Sequence, residues 1–173
     1  VITSLKNHYQ LNNDQAFNWI TNEKNFIYNV LEFEKEGYSD FQFISSWSTN
    51  FKSWKVQKKV PIKIIKYEDL LNYTYVTFSD VLQFINKITN NTKSLDKDKI
   101  KKTLRSTSFE VLKKNEAKKG FSEAVSKRDQ TDKKIPFFNL GPDNNWKKIL
   151  DENIREKTEK VFERYLKELN YIK

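Results

Sequence analysis

The sequence predicts a mostly helical α/β chain with one clear β-strand, at residues 60–66. Ile62, Ile64 and Ile65 lie between lysines in a short β-branched run, which suits a packed, pleated segment. Pro61 marks the start of this strand, because proline cannot donate a hydrogen bond inside a ladder. Around the strand, apolar residues recur every three or four positions, which is typical of helices. A lone strand is not stable, so we expect it to join a sheet formed elsewhere or to belong to a larger domain.

The first half of the chain carries local signals for three helices. Asn12, with Gln15 three residues later, predicts a capped helix start. A second helix is expected to run from Phe26 and to end before Gly37. An aromatic series predicts one face of a third helix, a pattern that usually belongs to the core. The residues of this series are Phe43, Trp47, Phe51 and Trp54.

The second half continues the helical pattern until a long polar segment interrupts it. Apolar spacing predicts helices across 78–88 and around Ile100, and Thr107 with Glu110 forms an expected capping box for the next helix. Residues 120–145 are polar and irregular, and a loop of this length in a compact domain is usually functional or disordered. The final helix is predicted to bury a stripe formed by Ile154, Val161, Tyr165, Leu169 and Ile172.

Composition narrows the possible classes of site. The 173 residues suit one domain, and the formal net charge of +9 favours an anionic partner, unless the lysines form only a solvated surface. Cysteine is absent and His8 is the single histidine, which excludes thiolate chemistry and metal sites built on Cys or several His. No apolar run approaches the roughly 20 residues of a membrane span. We expect a cytoplasmic protein without a signal peptide or a bound metal.

Four short motifs, each weak alone, become informative through their order. Ser4 precedes Asn-His-Tyr, residues 67–70 read Tyr-Glu-Asp-Leu, residues 107–115 open with Thr-Ser-Phe, and residues 137–147 read Phe-Phe-x-x-Gly-x-x-x-x-Trp-Lys. No glycine-rich phosphate loop, G-x-S-x-G motif or acidic metal cluster accompanies them. In this order and at these spacings, the motifs resemble the sulfotransferase family that uses 3′-phosphoadenosine 5′-phosphosulfate (PAPS).

The resemblance implies a fold, a reaction and a set of binding residues. The fold would be P-loop NTPase-like, with residues 1–173 as the mostly helical carboxyl-terminal part of a single sulfotransferase domain. The reaction would transfer a sulfuryl group from PAPS to a hydroxyl or amine acceptor, releasing 3′-phosphoadenosine 5′-phosphate (PAP). This chain would hold the adenine and part of the 3′-phosphate. The implied cofactor-binding residues are Ser4, Tyr67, Thr107, Ser108, Phe109, Phe138, Asn139, Leu140 and Gly141.

Each implied role competes with a structural one. The Phe109 ring would stack on adenine, or it would pack in the core beside the capping box. The hydroxyls of Thr107 and Tyr67 would bond adenine nitrogens, or they would belong to a helix cap and a strand end. Ser4 would contact the 3′-phosphate, or it would be an ordinary surface serine. Gly141 would let backbone amides approach an anion, or it would form a simple turn.

Two departures from the family pattern stand out. The family's Arg-Lys pair before the glycine is Asn139-Leu140 here, which removes charge and a fork of hydrogen-bond donors. Either a nearby cation such as Lys133 or Lys134 replaces the pair, or the 3′-phosphate is held more weakly. The family's phosphosulfate loop and catalytic histidine are expected upstream of Val1, so no catalytic residue is assigned in this chain. The chain lacks methionine, and we expect it to be a fragment.

Two other functions remain open at the level of sequence. A basic helical module that binds nucleic acid or an acidic polymer would place lysines on one face and bind in a salt-sensitive way. That hypothesis does not account for the order of the four motifs. A degenerate family member without transferase activity would account for Asn139-Leu140.

Overall fold

The structure, a computed structural model, describes residues 1–129 and 132–173. The helices in these ranges are α1 (Ile2–His8), α2 (Asn13–Thr21), α3 (Val30–Glu36), α4 (Trp47–Val56), α5 (Tyr67–Asn72), α6 (Thr74–Ile88), α7 (Lys97–Ser106), α8 (Phe109–Lys119), α9 (Trp146–Ile149) and α10 (Glu152–Glu168). Two short antiparallel strands, β1 (Phe26–Ile27) and β2 (Gln42–Phe43), pair with each other. The prediction of a mostly helical chain is confirmed. No helix within these ranges is long and apolar enough to cross a bilayer.

The chain divides into two compact units. The first unit contains Val1–Gln57 and Asn145–Lys173, and the second contains Lys58–Asn144. The first unit is therefore built from both ends of the sequence, whereas the second is one continuous stretch. That all 173 residues belong to one domain stays a prediction.

Helices α1, α2 and α10 build the core of the first unit. Its buried side chains are Ile2, Leu5, Ala16, Ile20, Ile154 and Phe162. The predicted start of α2 is confirmed, because Asn12 and Gln15 form a reciprocal capping box. Of the predicted stripe, Ile154 is buried and Tyr165, Leu169 and Ile172 are half-buried. Only Val161 is wrong, because it is 54% exposed and the next residue, Phe162, is buried instead. A neighbouring residue on a helix is turned by about 100°, so this single step decides which side chain faces the core.

The aromatic series between 41 and 54 is divided between a hairpin and a helix. Phe43 lies in β2 and pairs with Phe26 of β1, so the predictions that place Phe43 and Phe26 on helices are wrong. Trp47 and Phe51 do share one face of α4, where Trp47 packs edge-on against Phe162 of α10. The second predicted helix is shorter than expected, but α3 does end before Gly37, as predicted. Gly37 itself adopts the left-handed conformation that commonly follows a helix end.

A carboxylate surrounded by hydroxyls joins the loop after α2 to the start of α4. Ser46 Oγ and Thr49 Oγ1 each donate to the Glu23 carboxylate at 2.8 Å, and Ser45 Oγ donates at 3.2 Å. Ser46 is 1% exposed and also caps α4 by accepting from Thr49 N. Hydrogen bonds from Thr49 and Ser46 outweigh desolvation and lower the pKa of Glu23 below its ordinary value of 4.5.

The predicted strand at 60–66 is wrong. Residues 61–66 form no strand, and α5 begins immediately afterwards at Tyr67. A strand needs a hydrogen-bonded neighbour, and in the described ranges the only sheet is the β1–β2 pair in the other unit. Ile64 is accordingly 52% exposed, and Lys63 pairs instead with Asp80 of α6.

The Glu23 contacts predict a pH-dependent stability of the first unit. Folding lowers the pKa of Glu23. The Glu23 carboxylate therefore contributes fully to stability at a pH above its pKa in the unfolded state, and this contribution is lost as the pH falls through its pKa in the folded state. Glu23→Gln should lower the melting temperature at about pH 7, and the gap to the unsubstituted protein should narrow as the pH falls below the ordinary pKa of 4.5. Tryptophan fluorescence reports on this unit, which contains Trp19, Trp47, Trp54 and Trp146. The control is Glu34→Gln, a change of an exposed glutamate on α3. A gap that does not depend on pH would contradict this role of Glu23.

Candidate functional site

The junction between α7 and α8 carries the Thr-Ser-Phe motif. Ser108, not Thr107, caps α8, because its hydroxyl accepts from Val111 N at 3.4 Å. Thr107 instead terminates α7, and its hydroxyl donates to the Thr103 carbonyl at 2.9 Å. The predicted capping box of Thr107 with Glu110 is therefore wrong by one residue. A hydroxyl that donates its proton still has lone pairs, so Thr107 can accept a hydrogen bond from a ligand.

The carboxylate of Glu116 holds the loop at 137–141, within the polar segment, against α8. Both oxygens accept backbone hydrogen bonds, one from Phe137 N at 2.6 Å and one from Phe138 N at 3.0 Å. The next amide, of Asn139, donates to the Phe137 carbonyl at 3.0 Å. Three consecutive amides of this loop are thus satisfied within the protein.

Gly141 brings the same loop into close contact with Phe109, the first residue of α8. Gly141 has φ +51°, in the left-handed region that suits glycine, and it opens a 3-10 turn at Gly141–Asp143. A Cβ atom added to Gly141 would collide with Phe109 Cε2 and Cζ. The glycine therefore makes room for the ring, which also meets Phe138 edge-on with 6.2 Å between the centroids.

Two further rings pack around Phe138. Phe121 packs at 4.7 Å from Phe137 and at 5.2 Å from Phe138, measured between centroids. We refer to Phe109, Phe121, Phe137 and Phe138 as the phenylalanine cluster. All of its members are half-buried, so the cluster both packs and keeps some ring surface accessible.

The ammonium group of Lys113 contacts both the loop and the Phe109 ring. Lys113 Nζ donates to the Asn139 carbonyl at 3.1 Å and lies 5.5 Å from the centroid of the Phe109 ring. Lys113 follows Phe109 by one helical turn, so both side chains emerge on the same face of α8. The cation–π contact and the carbonyl contact together orient the ammonium toward residue 139.

The structure brings together most, but not all, of the predicted site residues. The contacts above join Phe109, Phe138, Asn139 and Gly141, with Thr107 and Ser108 directly before Phe109 and Leu140 directly before Gly141. Tyr67 is not among the residues that these contacts join. It is the first residue of α5 and is 52% exposed. Ser4 is exposed on α1, in the other unit.

Two residues of this arrangement were not predicted from the sequence. Lys113 and Glu116 follow Phe109 at spacings of four and seven, a pattern that marks one helical face and was recognisable from the sequence. Of the two lysines suggested as substitutes for the missing cation, Lys134 donates from Nζ to Ser126 Oγ at 3.2 Å. That Lys133 or Lys134 replaces the missing pair stays a prediction.

This arrangement suits an aromatic ring that carries an anion. Phe109 offers a ring face, Thr107 offers an acceptor, and Lys113 offers a positive charge. These groups fit the adenine and one phosphate of a nucleotide. Within the described ranges, no group of three or more His, Cys, Asp or Glu side chains could hold a metal ion.

A second surface feature lies on α7. Lys101, Lys102 and Arg105 line a shallow concave surface together with Asp98 and Ser106. Such a row of cations on one helix is the feature that a polyanion-binding module would need.

The contact between Gly141 and Phe109 predicts a large effect of a single methyl group. Gly141→Ala should cost about 1–2 kcal/mol for the left-handed backbone and about 1–3 kcal/mol more for the collision with the ring. Gly37→Ala is the matched control, because Gly37 has φ +73° and a Cβ added there would have nothing within 4 Å. Urea unfolding followed by circular dichroism and hydrogen exchange should measure both. Equal costs for the two substitutions would mean that the loop does not press against Phe109.

The comparison with known proteins gives one match. A family model described as the Sulfotransferase domain matches residues 2–170, almost the whole chain. No curated protein and no solved structure matches it. The matched range contains every residue of the site described above, from Thr107 to Gly141. The chain therefore belongs to the sulfotransferase family.

Proposed function

We propose that this chain binds the nucleotide of PAPS and PAP and serves sulfuryl transfer to a hydroxyl or amine acceptor. PAPS would supply the activated sulfuryl group, which leaves PAP when it is transferred. The residues described here would bind and orient the nucleotide. The proposal includes a P-loop-like α/β fold, to which this chain contributes a mostly helical, carboxyl-terminal part.

One observation carries this proposal. Two motifs meet in the folded chain although about thirty residues separate them. They are Thr-Ser-Phe at 107–109 and the loop at 138–141, and they meet through Phe109 and Gly141. The resemblance assigns both motifs to the same nucleotide. Their contact was not needed to recognise either motif, so it is independent support for a shared ligand.

The adenine would be held by stacking and by hydroxyl groups. Its ring would stack on Phe109. Thr107 would accept from the exocyclic amine, since its own proton is donated to Thr103. Tyr67, Ser108, Phe138, Leu140 and Ser4 complete the proposed set, and their roles rest on the family resemblance.

A different function is favoured by the cations on α7. Lys101, Lys102 and Arg105 would bind an acidic polymer by releasing counterions, which makes the affinity fall steeply with salt. This alternative gives no role to the contact between Phe109 and Gly141. It is therefore the second candidate.

The proposed function predicts selective stabilisation by a 3′-phosphorylated nucleotide. PAP should raise the melting temperature of the protein, because only the folded state binds this nucleotide. AMP should raise it less, because AMP has no 3′-phosphate to contact. At a concentration about 100 times its Kd, a ligand adds about 2.7 kcal/mol of stability. Differential scanning fluorimetry measures the shift for both nucleotides and for a heparin-like polyanion. Equal shifts from PAP and AMP would oppose a 3′-phosphate site. A shift from the polyanion alone would favour the second candidate, and no shift from any nucleotide would favour a degenerate family member.

The stacking role of Phe109 can be separated from its packing role. Phe109→Leu keeps apolar volume but removes the ring face, and it should weaken PAP binding by about 1–3 kcal/mol. Phe121→Leu is the control, because Phe121 packs in the same phenylalanine cluster outside the proposed contacts. Isothermal titration gives affinity, and melting of the nucleotide-free variants gives stability. If both variants lose stability alike and neither loses affinity, Phe109 is a packing residue.

A further inference from the structure

The loop at 137–141 lacks the charged side chains with which its sequence position would hold a phosphate. Asn139 and Leu140 carry no charge. The amides of Phe137 and Phe138 are taken by Glu116, and the amide of Asn139 by the Phe137 carbonyl. Any cation that binds a phosphate at this loop must therefore come from another element.

Helix α8 provides such a cation at the right place. Lys113 Nζ is held 3.1 Å from the Asn139 carbonyl and above the Phe109 ring. An ammonium has three protons, and the carbonyl contact uses one, so two remain for an anion. Glu116, three residues further along α8, uses both of its oxygens to accept from two backbone amides.

We propose that Lys113 binds the 3′-phosphate of the nucleotide and replaces the cations missing at 139 and 140. This inference rests on the proposed function, because it assumes that adenine stacks on Phe109. The positive charge would thus come from α8, which also carries the stacking ring, and not from the loop. Lys113 follows Phe109 by four residues on this helix. One ring and one ammonium on the same face of α8 then recognise the base and its 3′-phosphate together.

A single ammonium gives a contact that differs from an arginine fork. It is a point charge on a flexible stem, without two fixed parallel donors. We therefore expect the preference for PAP over AMP to depend on one side chain and to weaken with salt, since Lys113 is exposed.

The test compares three variants by isothermal titration with PAP and with AMP. Lys113→Gln should weaken PAP binding about 10- to 100-fold, the range for a lost hydrogen bond to a charged group, and should change AMP binding less than about threefold. Lys114→Gln is the matched control, because it removes the same charge from the next residue of α8. Lys113→Arg should restore most of the PAP affinity. The ratio of PAP to AMP affinity should fall between about 50 mM and about 300 mM salt in the unsubstituted protein, but not in Lys113→Gln.

Each outcome separates the role of Lys113 from the proposed function. If Lys113→Gln binds PAP as tightly as the unsubstituted protein does, Lys113 is not the phosphate ligand, although the proposed function stands. If Lys113→Gln loses PAP and AMP equally, the lysine supports the adenine face and the inference is overturned. If the unsubstituted protein binds neither nucleotide, or both equally, the proposed function itself fails. Melting of the nucleotide-free variants shows whether Lys113→Gln remains folded.

Discussion

The site depends on one carboxylate that captures two consecutive backbone amides. Glu116 accepts from Phe137 and Phe138, and this fastens a loop to a helix that precedes it by about twenty residues. Charged acceptors make the stronger hydrogen bonds to backbone N–H groups, so the attachment is well suited to a long segment with little regular structure. Everything else in the site follows from this placement. With the loop fixed there, Gly141 reaches Phe109 and the Asn139 carbonyl reaches Lys113.

The same attachment has an electrostatic consequence. A loop whose amides bind a protein carboxylate cannot offer those amides to an anionic ligand. Any positive charge for a phosphate must then come from outside the loop, because residues 137–141 contain no charged side chain. Helix α8 provides both the attachment of the loop and a positive charge beside it. Glu116 makes the attachment, and Lys113 carries the charge. A helix with a period of 3.6 residues can present a ring, an ammonium and a carboxylate on one face in two turns.

The first unit is held together by a different kind of contact. Its apolar core lies between helices from opposite ends of the sequence, as Ile20 of α2 and Ile154 of α10 illustrate. Polar contacts fix the connection between α2 and α4, where Glu23 accepts from hydroxyls that include the buried Ser46. Burying this hydroxyl is tolerated because it donates a hydrogen bond to a carboxylate. Here too a glutamate positions a loop, although its partners are hydroxyls and not amides.

Local chemistry along the chain was sufficient to predict some of these features. The cap at Asn12 and the end of α3 at Gly37 depend only on residues a few positions apart, and both agree with the structure. The motifs around Phe109 and Gly141 were also recognisable from sequence order. The tertiary structure alone decided that 60–66 forms no strand, because a ladder needs a partner that local sequence does not specify. It also decided that Lys113 is the cation beside Asn139, since the two lie 26 residues apart and only the folded loop brings them together.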